Sequence, residues 1–349
     1  MDNDFPNYLT DVMNKSSLAI MLSIGHRTKL FDVLSTLPPS TIKEIASKSN
    51  LNARYVKEWL GAMVTARIID FDSNSDKFSL PKEKSVYLTR ENNIYNFAAS
   101  MQWIPILSQV EDEIIECFAK GGGVPYSSYK RFHEVMAEES YQTVVAGLVD
   151  YILPLVPNLI ADLKSGIKVL DIGCGKGMAI NLMAKHFPKS TFYGYDLSEE
   201  AIDSAMKEGR DMNNSNVFFK VHDILDLKAK DKFDLITAFD AIHDQPKPDL
   251  VLQNIYQSLS HKGVFLMQDI LASTPLKDNI SHHLGTFLYT ISCMHCMTVS
   301  LSQNGAGLGA MWGKEKAVSM LKEAGFDNIE VKTLPHDFQN YYYIAYKDK

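Results

Sequence analysis

Three acidic residues lie at the ends of three successive apolar stretches in the second half of the chain. Asp171 ends "IKVLD", Asp196 ends "TFYGYD", and Asp223 follows "VFFKVH". If these stretches are parallel strands, their carboxyl ends meet at one edge of a sheet, where ligands bind in open α/β folds. A carboxylate there can accept hydrogen bonds from the two hydroxyls of a ribose or from the amino group of an adenine. We therefore predict a nucleoside-containing ligand, with Asp196 at its ribose and Asp223 at its base.

The turn after Asp171 is "GCGKG", in which Gly173, Gly175 and Gly177 alternate with other residues. Glycines can adopt positive φ and allow a ligand to lie against the backbone. A dinucleotide-binding turn has the spacing G-x-G-x-x-G and places a pyrophosphate at a helix N-terminus. Here the third glycine comes one residue earlier, and the preceding acid would repel a pyrophosphate. The pattern instead favours a nucleoside ligand with a cationic end.

Apolar strands alternate with amphipathic helices from residue 167 onward, which predicts a mainly parallel sheet covered on both faces. The last two strands are joined by only a few residues, which predicts an antiparallel pair at one edge. The fold class of this region is therefore α/β. The predicted strands are "IKVLD", "TFYGYDL", "VFFKVHD", "FDLITAF", "GVFLMQD", "NIEVKTL" and "YYYIAYK".

The first 85 residues predict a winged-helix domain. Apolar positions recur at helical spacing over residues 18–34, and Thr41 with Glu44 forms a capping-box pattern before the next helix. Asn52 is a candidate N-cap for a third helix that ends at about residue 66. Helices followed by a hairpin are the winged-helix order. The two predicted hairpin strands, on either side of the polar turn "DSNSD", are residues 68–71 and 77–80.

The charge of this region argues against DNA binding. Residues 1–80 contain nine Lys or Arg and nine Asp or Glu, so their net charge is zero. A protein that reads duplex DNA usually presents a basic surface, whereas the third helix offers Arg54 and Lys57 beside Glu58. We predict a role in dimerisation or in forming a lid. A regulator that senses the ligand and reads DNA with Arg54 and Lys57 is the alternative.

The composition is that of a globular enzyme-sized protein. The chain has 349 residues, of which 46% are hydrophobic and 22% charged, and its formal net charge of -7 gives no overall attraction to nucleic acid or anionic membranes. No run of about 18 apolar residues predicts a transmembrane helix, and the N-terminus lacks the basic region of a secretory signal. Four cysteines are too few for a disulfide scaffold. We expect a cytoplasmic protein that does not bind membranes.

These motifs resemble those of the seven-stranded, class I S-adenosylmethionine-dependent methyltransferases. "VLDIGCGKG" is similar to their glycine-rich first motif, "YGYDLS" to the segment of the ribose-binding acid, "VHDI" to the adenine-side segment and "FDLITAFDAIHD" to the fourth motif. The likeness covers about residues 167–349. Together with the N-terminal region, the whole chain resembles the bacterial-type winged-helix methyltransferases that act on small molecules. The resemblance implies a Rossmann-like seven-stranded sheet that follows an N-terminal winged-helix and helical domain in the chain.

The resemblance also implies the cofactor, S-adenosyl-L-methionine, which leaves as S-adenosyl-L-homocysteine. Asp171 and the glycine turn would then hold the methionine part, Asp196 the ribose and Asp223 the adenine. The cofactor-binding residues that it implies are Asp171, Gly173, Gly175, Gly177, Asp196, Leu197, Asp223, Ile224 and Asp240.

His243 is the candidate base. The segment "IHDQPKPD" resembles the "HD" segment of plant-type small-molecule O-methyltransferases, in which the histidine deprotonates the acceptor hydroxyl. A neutral imidazole suits that task, and Asp244 could orient the ring. The alternatives are that His243 caps the following helix or hydrogen-bonds the cofactor. The implied function is methyl transfer to a small molecule, at oxygen rather than nitrogen, with N-methylation by proximity alone as an alternative.

The acceptor pocket is expected under an insert at residues 272–313, since insertions at this place commonly cover that pocket in this fold. The segment "GGGVPYSSYKRF" at 121–132 is either a wall of the site or a surface loop. Cys293 and Cys296 have zinc-like spacing, but no second pair is nearby, so we predict structural thiols and no metal site. The predicted pocket residues are Tyr126, His282, His283, Tyr289, His295 and Trp312.

The domain boundaries follow from these patterns. We predict a winged-helix domain at 1–85, a helical connector at 86–165 and the methyltransferase domain at 166–349. The apolar stretch "SSLAIMLSIG" and the resemblance both predict a homodimer.

Overall fold

A computed structural model of the chain describes residues 4–91 and 96–347. The chain divides into two compact units, residues 1–108 with 134–142 and residues 109–133 with 143–349. The predicted connector at 86–165 is therefore divided between the two units. Within the described residues, no single helix has both the length and the apolar composition needed to cross a membrane. One pair of helical segments, Phe132–Leu155 and Leu159–Ser165, has the required length and composition when taken together, but it is bent by 105°.

The first unit contains the predicted winged helix. Its capping box is confirmed, because the backbone N–H of Thr41 donates to Glu44 Oε2 at 2.7 Å and the backbone N–H of Glu44 donates back to Thr41 Oγ1 at 3.4 Å. The side chain of Asn52 caps the third predicted helix, as expected. The helices of this unit are α1 (Phe5–Arg27), α2 (Leu30–Thr36), α3 (Ile42–Ser49), α4 (Ala53–Thr65), α5 (Lys82–Ser85), α6 (Phe97–Ser100) and α7 (Trp103–Leu107).

The predicted helix over residues 18–34 is in fact two helices. The break falls at Lys29, whose φ of 60° is in the left-handed region, which ends α1 and starts α2 in a new direction. Apolar periodicity does not report such a reversal, because the polar stretch Arg27–Lys29 leaves the apolar positions on either side intact. The hairpin is confirmed, with strands β1 (Asp70–Asp72) and β2 (Lys77–Ser79) paired antiparallel.

An aromatic pair lies in the mainly aliphatic core of the first unit. Phe31 and Trp59 pack edge to face with ring centroids 5.1 Å apart, and the Trp59 indole N–H donates to the backbone carbonyl of Met21 at 2.9 Å. Gly25 allows α1 to pack against both rings, since a Cβ at this position would lie 2.6 Å from each of them. Full burial of such side chains stabilises a fold by about 1.5–3 kcal/mol each.

The second unit is built on a seven-stranded sheet in the order β5-β4-β3-β6-β7-β9-β8. The first five strands in that order are parallel, and β9 pairs antiparallel with both β7 and β8, which confirms the predicted edge pair. The strands are β3 (Lys168–Ile172), β4 (Thr191–Asp196), β5 (Val217–Val221), β6 (Phe233–Phe239), β7 (Leu259–Ile270), β8 (Asn328–Leu334) and β9 (Asp337–Tyr346).

Both faces of this sheet are buried, as the apolar strands predict. Alternate residues point to opposite faces: Val169 and Leu235 join one hydrophobic cluster, and Leu170 and Ile236 join the other. The order along the sheet reverses beside β3, which places a switch point, the usual ligand site of such folds, at its carboxyl end. Helix α9 (Phe132–Thr143) belongs mostly to the first unit. The helices of the second unit are α8 (Glu111–Lys120), α10 (Leu159–Ser165), α11 (Met178–His186), α12 (Glu199–Asp211), α13 (Pro248–Ser258), α14 (Gly285–Ile291), α15 (Met297–Ser302) and α16 (Gly313–Glu323).

Candidate active site

The sheet brings the three predicted acids to one edge. Asp171 lies on β3, Asp196 ends β4 and Asp223 follows β5, and these strands are neighbours in the sheet. Because the three strands are parallel, all three carboxylates lie at the carboxyl end of the sheet, at the switch point.

Asp171 is buried and is only 2% exposed. The hydroxyl of Thr237, on the adjacent strand β6, donates to its Oδ1 at 2.6 Å. Burial raises the pKa of Asp171 to about 7, with a further rise from the nearby Asp196 carboxylate, although the Thr237 hydrogen bond opposes both. A cationic group of a ligand would restore the ionised form of this carboxylate.

The glycine turn has the backbone that the sequence predicted. Gly173, Gly175 and Gly177 have φ of 65°, 51° and 71°. A Cβ at Gly173 would lie 2.6 Å from the Ala241 Cβ, so the inner side of the turn is filled. A Cβ at Gly175 would meet nothing within 4 Å, so this residue faces open space, where a ligand can lie against backbone.

Asp196 connects the ends of two strands. Its Oδ2 accepts from the Gly175 backbone N–H at 2.9 Å, and its Oδ1 accepts from the Ser198 N–H at 2.8 Å. Each carboxylate oxygen has a second lone pair, so a ribose can still donate both hydroxyls to this side chain. Leu197, the next residue, is exposed at this edge and can cover one face of a nucleoside.

Asp223 caps a short turn with its Oδ1, which accepts from the Leu225 N–H at 2.9 Å. Its second oxygen is the one left for an adenine amino group. Ile224 is buried in the hydrophobic cluster behind the turn. Its side chain therefore supports the position of Asp223.

His243 is buried in the loop after β6 and is held by a carboxylate from the next strand. Its Nδ1–H donates to Asp269 Oδ1 at 2.9 Å. The same oxygen accepts from the indole N–H of Trp312 at 3.0 Å and from the backbone N–H of Ile270 at 2.8 Å. Three donors on one oxygen fix the carboxylate, and the carboxylate fixes the tautomer of the ring so that Nε2 is the basic nitrogen.

The electrostatics of His243 favour a strong base. Burial alone would lower its pKa, but the Asp269 carboxylate and then the side chain of Cys296 raise it well above the ordinary value. The Asp269 carboxylate also hydrogen-bonds the ring. A ring in this environment takes up a proton readily.

The prediction that Asp244 orients the His243 ring is wrong, because another carboxylate bonds the ring. Asp244 hydrogen-bonds the hydroxyl of Tyr126, and Asp269 holds the ring instead. Burial raises the pKa of Asp244, while the proximity of His243 and the bond from Tyr126 oppose that rise. Asp244 and Tyr126 thus form a second polar pair beside His243.

His295 lies in an aromatic cluster with residues of the 121–132 segment. Its ring stacks on Phe132 at 4.3 Å between centroids, and the edges of Tyr126 and Tyr129 approach it at 5.3 Å and 4.8 Å. Burial lowers the pKa of His295 to about 3, so the ring is neutral and acts as an aromatic surface.

The 121–132 segment is packed against the insert and is not a free surface loop. A Cβ at Gly123 would lie 1.9 Å from the Thr298 carbonyl oxygen, so only glycine fits this contact. The next residue, Val124, donates its backbone N–H to Thr298 Oγ1 at 2.9 Å. The segment therefore carries Tyr126 to Asp244 as a wall of the site.

Three other predicted pocket residues make contacts elsewhere. His282 uses both ring nitrogens on backbone groups, with Nε2–H donating to the Leu271 carbonyl at 2.7 Å and Nδ1 accepting from the Leu284 N–H at 3.1 Å. His283 is exposed and stacks on His282, and Tyr289 is 38% exposed beside Asn279. The structure does not bring these three side chains to His243.

One cluster has the donor types of a metal site. Across residues 4–91 and 96–347, the ligand atoms of Asp240, His243 and Asp269 are the group that lies close enough, within 4.8 Å of one another. The hydrogen bond between His243 and Asp269 already explains why these two side chains lie close together. Asp240 therefore lies beside His243, and its predicted role in cofactor binding stays a prediction. Cys293 and Cys296 are free thiols.

Asp269, Thr237 and the position of Cys296 were not predicted from the sequence. A signal for Asp269 was present, since it ends the predicted strand "GVFLMQD" as the other acids end theirs. Thr237 lies within an apolar strand, and nothing in its neighbours indicates that it faces Asp171. Cys296 influences the pKa of His243 only because the insert folds back towards it.

Comparison with protein families matches both parts of the chain. Residues 16–90 match the family described as the Rv2258c-like winged HTH domain, and residues 163–325 match a methyltransferase domain family. A stretch of 138 residues of the chain is 29% identical to malonyl-[acyl-carrier protein] O-methyltransferase of Bacillus cereus, and it covers 39% of this chain and 50% of that protein. It is 30% identical over 128 residues to ubiquinone biosynthesis O-methyltransferase of Coxiella burnetii, covering 36% and 49%. The chain thus spans about half the length of these curated relatives.

Two solved structures share the fold over the whole chain. Human N-acetylserotonin methyltransferase, solved with S-adenosylmethionine, superposes with a TM-score of 0.72 at 16% identity and covers 100% of this chain and 99% of its own. The mitomycin 7-O-methyltransferase MmcR superposes with a TM-score of 0.70 at 13% identity, covering 98% and 97%. With the family matches and the seven-stranded sheet, the chain belongs to the class I S-adenosylmethionine-dependent methyltransferases and carries an N-terminal winged-helix domain.

Proposed function

We propose that this protein transfers a methyl group from S-adenosylmethionine to a hydroxyl group of a small molecule, with His243 as the general base. The observation that carries the proposal is the hydrogen bond from His243 Nδ1 to Asp269, which leaves Nε2 as a proton acceptor beside the cofactor edge of the sheet. Membership of the family supports methyl transfer. The His243–Asp269 pair supports a methyl acceptor that must lose a proton, such as a hydroxyl group.

The cofactor would bind across the carboxyl ends of β3, β4 and β5. Asp171 would face the ammonium of the methionine part, Gly175 would leave room for the chain of the ligand, and Asp196 would accept the ribose hydroxyls. Asp223 would accept the adenine amino group. When bound, S-adenosylmethionine supplies a methyl group on a sulfonium, which is already activated for transfer.

His243 would act by accepting the acceptor's hydroxyl proton at Nε2. Asp269 stabilises the imidazolium that forms, and Trp312 keeps Asp269 in place. General bases positioned in this way contribute about 10²–10⁴-fold to a rate. The remaining rate enhancement would come from holding the acceptor in line with the methyl group.

The wall of the site indicates the kind of acceptor. Tyr126, Phe132 and the neutral ring of His295 present aromatic surfaces, and the Asp244–Tyr126 pair adds a polar end. A planar, partly apolar molecule with a hydroxyl group, such as a phenol, fits this combination. The names of the two structural neighbours also describe small-molecule acceptors.

The test is calorimetry with S-adenosylmethionine and S-adenosylhomocysteine, followed by mass spectrometric detection of a methylated product in a panel of hydroxylated aromatic compounds. Micromolar binding and a mass increase of one methylene unit on a hydroxyl group are expected. Absence of binding by the wild-type chain would refute the proposal, and methylation confined to amines would favour N-methylation by proximity.

The binding of S-adenosylmethionine is expected to weaken as the pH falls below about 7. The pKa of Asp171 is about 7, so this carboxylate is protonated below that pH and loses its attraction for an ammonium group. The association constant should fall by up to about tenfold per pH unit in this range and level off above about pH 8. Calorimetry across this range checks the prediction.

Asp171→Asn is the control for this pH dependence. It removes the titrating group, so its binding should be weaker and nearly independent of pH. Cys174, which also lies beside Asp171, has a pKa that burial raises well above the ordinary value, so this thiol stays neutral in the range tested. A flat profile for the wild type would contradict the prediction.

We also propose that the protein is a homodimer through α1. One face of this helix carries exposed apolar side chains, which are Phe5, Tyr8, Leu9, Val12, Met13, Ile20 and Ile24. An apolar stripe of this length is usually covered by another surface. A second copy of the helix would cover it with the same residues, as in most two-fold dimers.

The double substitution Leu9→Glu with Met13→Glu is expected to convert the dimer into a monomer. Two buried carboxylates at the centre of the stripe would oppose association. Light scattering at micromolar concentration measures the mass, and Lys15→Glu, an exposed residue of the same helix, is the control. A wild-type chain that is monomeric at these concentrations would exclude the dimer.

A regulator that reads DNA is the alternative that the winged-helix family match favours. In α4, however, Arg54 forms an ion pair with Glu58 of the same helix, and Trp59 and Leu60 are buried. Few free cationic groups are thus presented to a duplex. Binding of duplex DNA that weakens steeply with salt would favour the regulator.

A further inference from the structure

Two carboxylates and one imidazole lie together where β6 and β7 end. One possible ligand atom from each of Asp240, His243 and Asp269 lies within 4.8 Å of the other two. The backbone N–H of Asp240 donates to the carbonyl oxygen of Gln268 at 3.1 Å, and Gln268 directly precedes Asp269. This bond holds Asp240 at the end of β7, so the cluster contains one more carboxylate than the hydrogen-bonded pair of His243 and Asp269 requires.

The carboxylate of Asp269 has one oxygen that is satisfied and one that is not. The side chain is 0% exposed, and its Oδ1 accepts the three hydrogen bonds described above. Its Oδ2 is shielded from solvent and has no hydrogen-bond partner within the described part of the chain. A buried carboxylate oxygen without a donor costs free energy, and a cation bound to that oxygen would remove the cost.

The charge of the cluster also favours a cation. Asp240 and Asp269 can carry two negative charges, whereas His243 can carry at most one positive charge. Asp269 and His243 are buried, and a buried charge needs a partner of opposite sign. Asp240 is only partly buried, which gives an ion a route from solvent to the buried oxygen.

The types of donor indicate which metal ion fits. Zinc is bound by imidazole nitrogen together with carboxylate oxygen, whereas Mg²⁺ prefers oxygen ligands and keeps several of its waters. With zinc–ligand bonds of about 2.0–2.2 Å, the ligand atoms of a tetrahedral site lie about 3.3 Å apart. The side chains would therefore close by up to about 1.5 Å from their present separations, and Asp240, in the loop after β6, can supply most of that movement.

We propose that Asp240, His243 and Asp269 bind a zinc ion, and that bound zinc inhibits methyl transfer. The inhibition rests on the proposed function, because it follows from His243 acting as the base. If Nε2 binds the metal, its lone pair is no longer available for the proton of the acceptor. If Nδ1 binds the metal, the remaining ring proton lies on Nε2, which then cannot accept another. Either mode of coordination removes the base.

The experiment strips the full-length chain of metal with EDTA, removes the EDTA by dialysis and titrates the chain with zinc sulfate in a calorimeter. One equivalent of zinc is expected to bind, with a dissociation constant of about 1 µM or below. Asp240→Asn keeps the shape of the side chain but removes its charge, and should weaken binding by at least about tenfold. His243→Gln removes the nitrogen ligand and should weaken binding at least as much.

Two matched controls exclude zinc bound elsewhere on the surface. His283→Gln removes an exposed imidazole, and Asp249→Asn removes an exposed carboxylate on α13, and neither residue belongs to the cluster. Both variants should bind zinc as the wild type does. A wild type that takes up no stoichiometric zinc, or an Asp240→Asn variant with the affinity of the wild type, would overturn the site.

Methyl transfer is measured separately from zinc binding. Calorimetry with S-adenosylmethionine and the kinetic measurements on His243 are made with EDTA present, so that the ring is free of metal. Zinc added without EDTA should then lower the rate of methylation, with a midpoint equal to its dissociation constant. Stoichiometric zinc that leaves the rate unchanged would overturn the inhibition, and a chain that binds the cofactor but no zinc would lose only this inference.

Discussion

Replacement of His243 by glutamine is expected to lower kcat by about 10²–10⁴-fold, which is the usual contribution of a general base. Glutamine retains a polar side chain of similar length but cannot accept the proton of an acceptor hydroxyl. The proposed cofactor contacts lie on β3, β4 and β5, so the dissociation constant for S-adenosylmethionine should stay within about twofold of the wild type. Single-turnover kinetics and calorimetry on the same preparation measure the two quantities.

The pH profile of the wild type gives an independent check on this role. Burial lowers the pKa of His243, but Asp269 and Cys296 raise it well above its ordinary value, so the unprotonated fraction of the ring increases as the pH rises from neutral. We therefore expect kcat to increase from neutral to alkaline pH and the glutamine variant to lose this increase. Unchanged turnover in His243→Gln would rule out the base and leave methyl transfer by proximity.

Replacement of Asp196 by alanine is expected to weaken S-adenosylmethionine binding by about 10²–10⁴-fold. Two hydrogen bonds from the ribose to a carboxylate contribute about 1.5–3 kcal/mol each, and each 1.4 kcal/mol is a factor of ten. The change also removes the acceptor of the Gly175 and Ser198 N–H groups, which loosens the glycine turn. Calorimetry of the purified variant measures the loss.

Two further variants separate the ribose contact from damage to the turn. Asp196→Asn keeps one carbonyl oxygen for a hydroxyl, so its affinity should lie between those of the wild type and the alanine variant. Asp203→Ala removes an exposed carboxylate on α12 near the same edge and should bind like the wild type. Full affinity in Asp196→Ala would move the ribose elsewhere and remove the main argument for the cofactor orientation.

Local patterns were sufficient to predict many elements of this fold, although not the break between α1 and α2. The capping box of Thr41 and Glu44, the cap at Asn52 and the seven strands all follow from residue spacing, because each depends on neighbours within a few positions. The cofactor edge was predicted for the same reason: an acid at the end of an apolar strand indicates its own place in a parallel sheet.

The acceptor side could be predicted only in part: Tyr126, His295 and Trp312 were expected there, but the polar contacts of His243 join distant parts of the chain. His243 and Asp269 are 26 residues apart, and Trp312 is 43 residues beyond Asp269. The sequence suggested Asp244 because it is adjacent, yet adjacent side chains in a loop point in different directions. The aromatic wall likewise joins Phe132 to His295 across most of the second unit.

The separate origins of the proposed base and of the proposed wall have a consequence for how such an enzyme can diversify. His243 and Asp269 lie where β6 and β7 end, at the edge of the buried central sheet. The aromatic surfaces come from two connecting segments, which meet at Gly123 and Thr298. Mutations in these segments can reshape the wall while the proton-transfer machinery keeps its geometry. Related chains could therefore accept new methyl acceptors through substitutions in these two segments, while the proposed proton transfer by His243 stays the same.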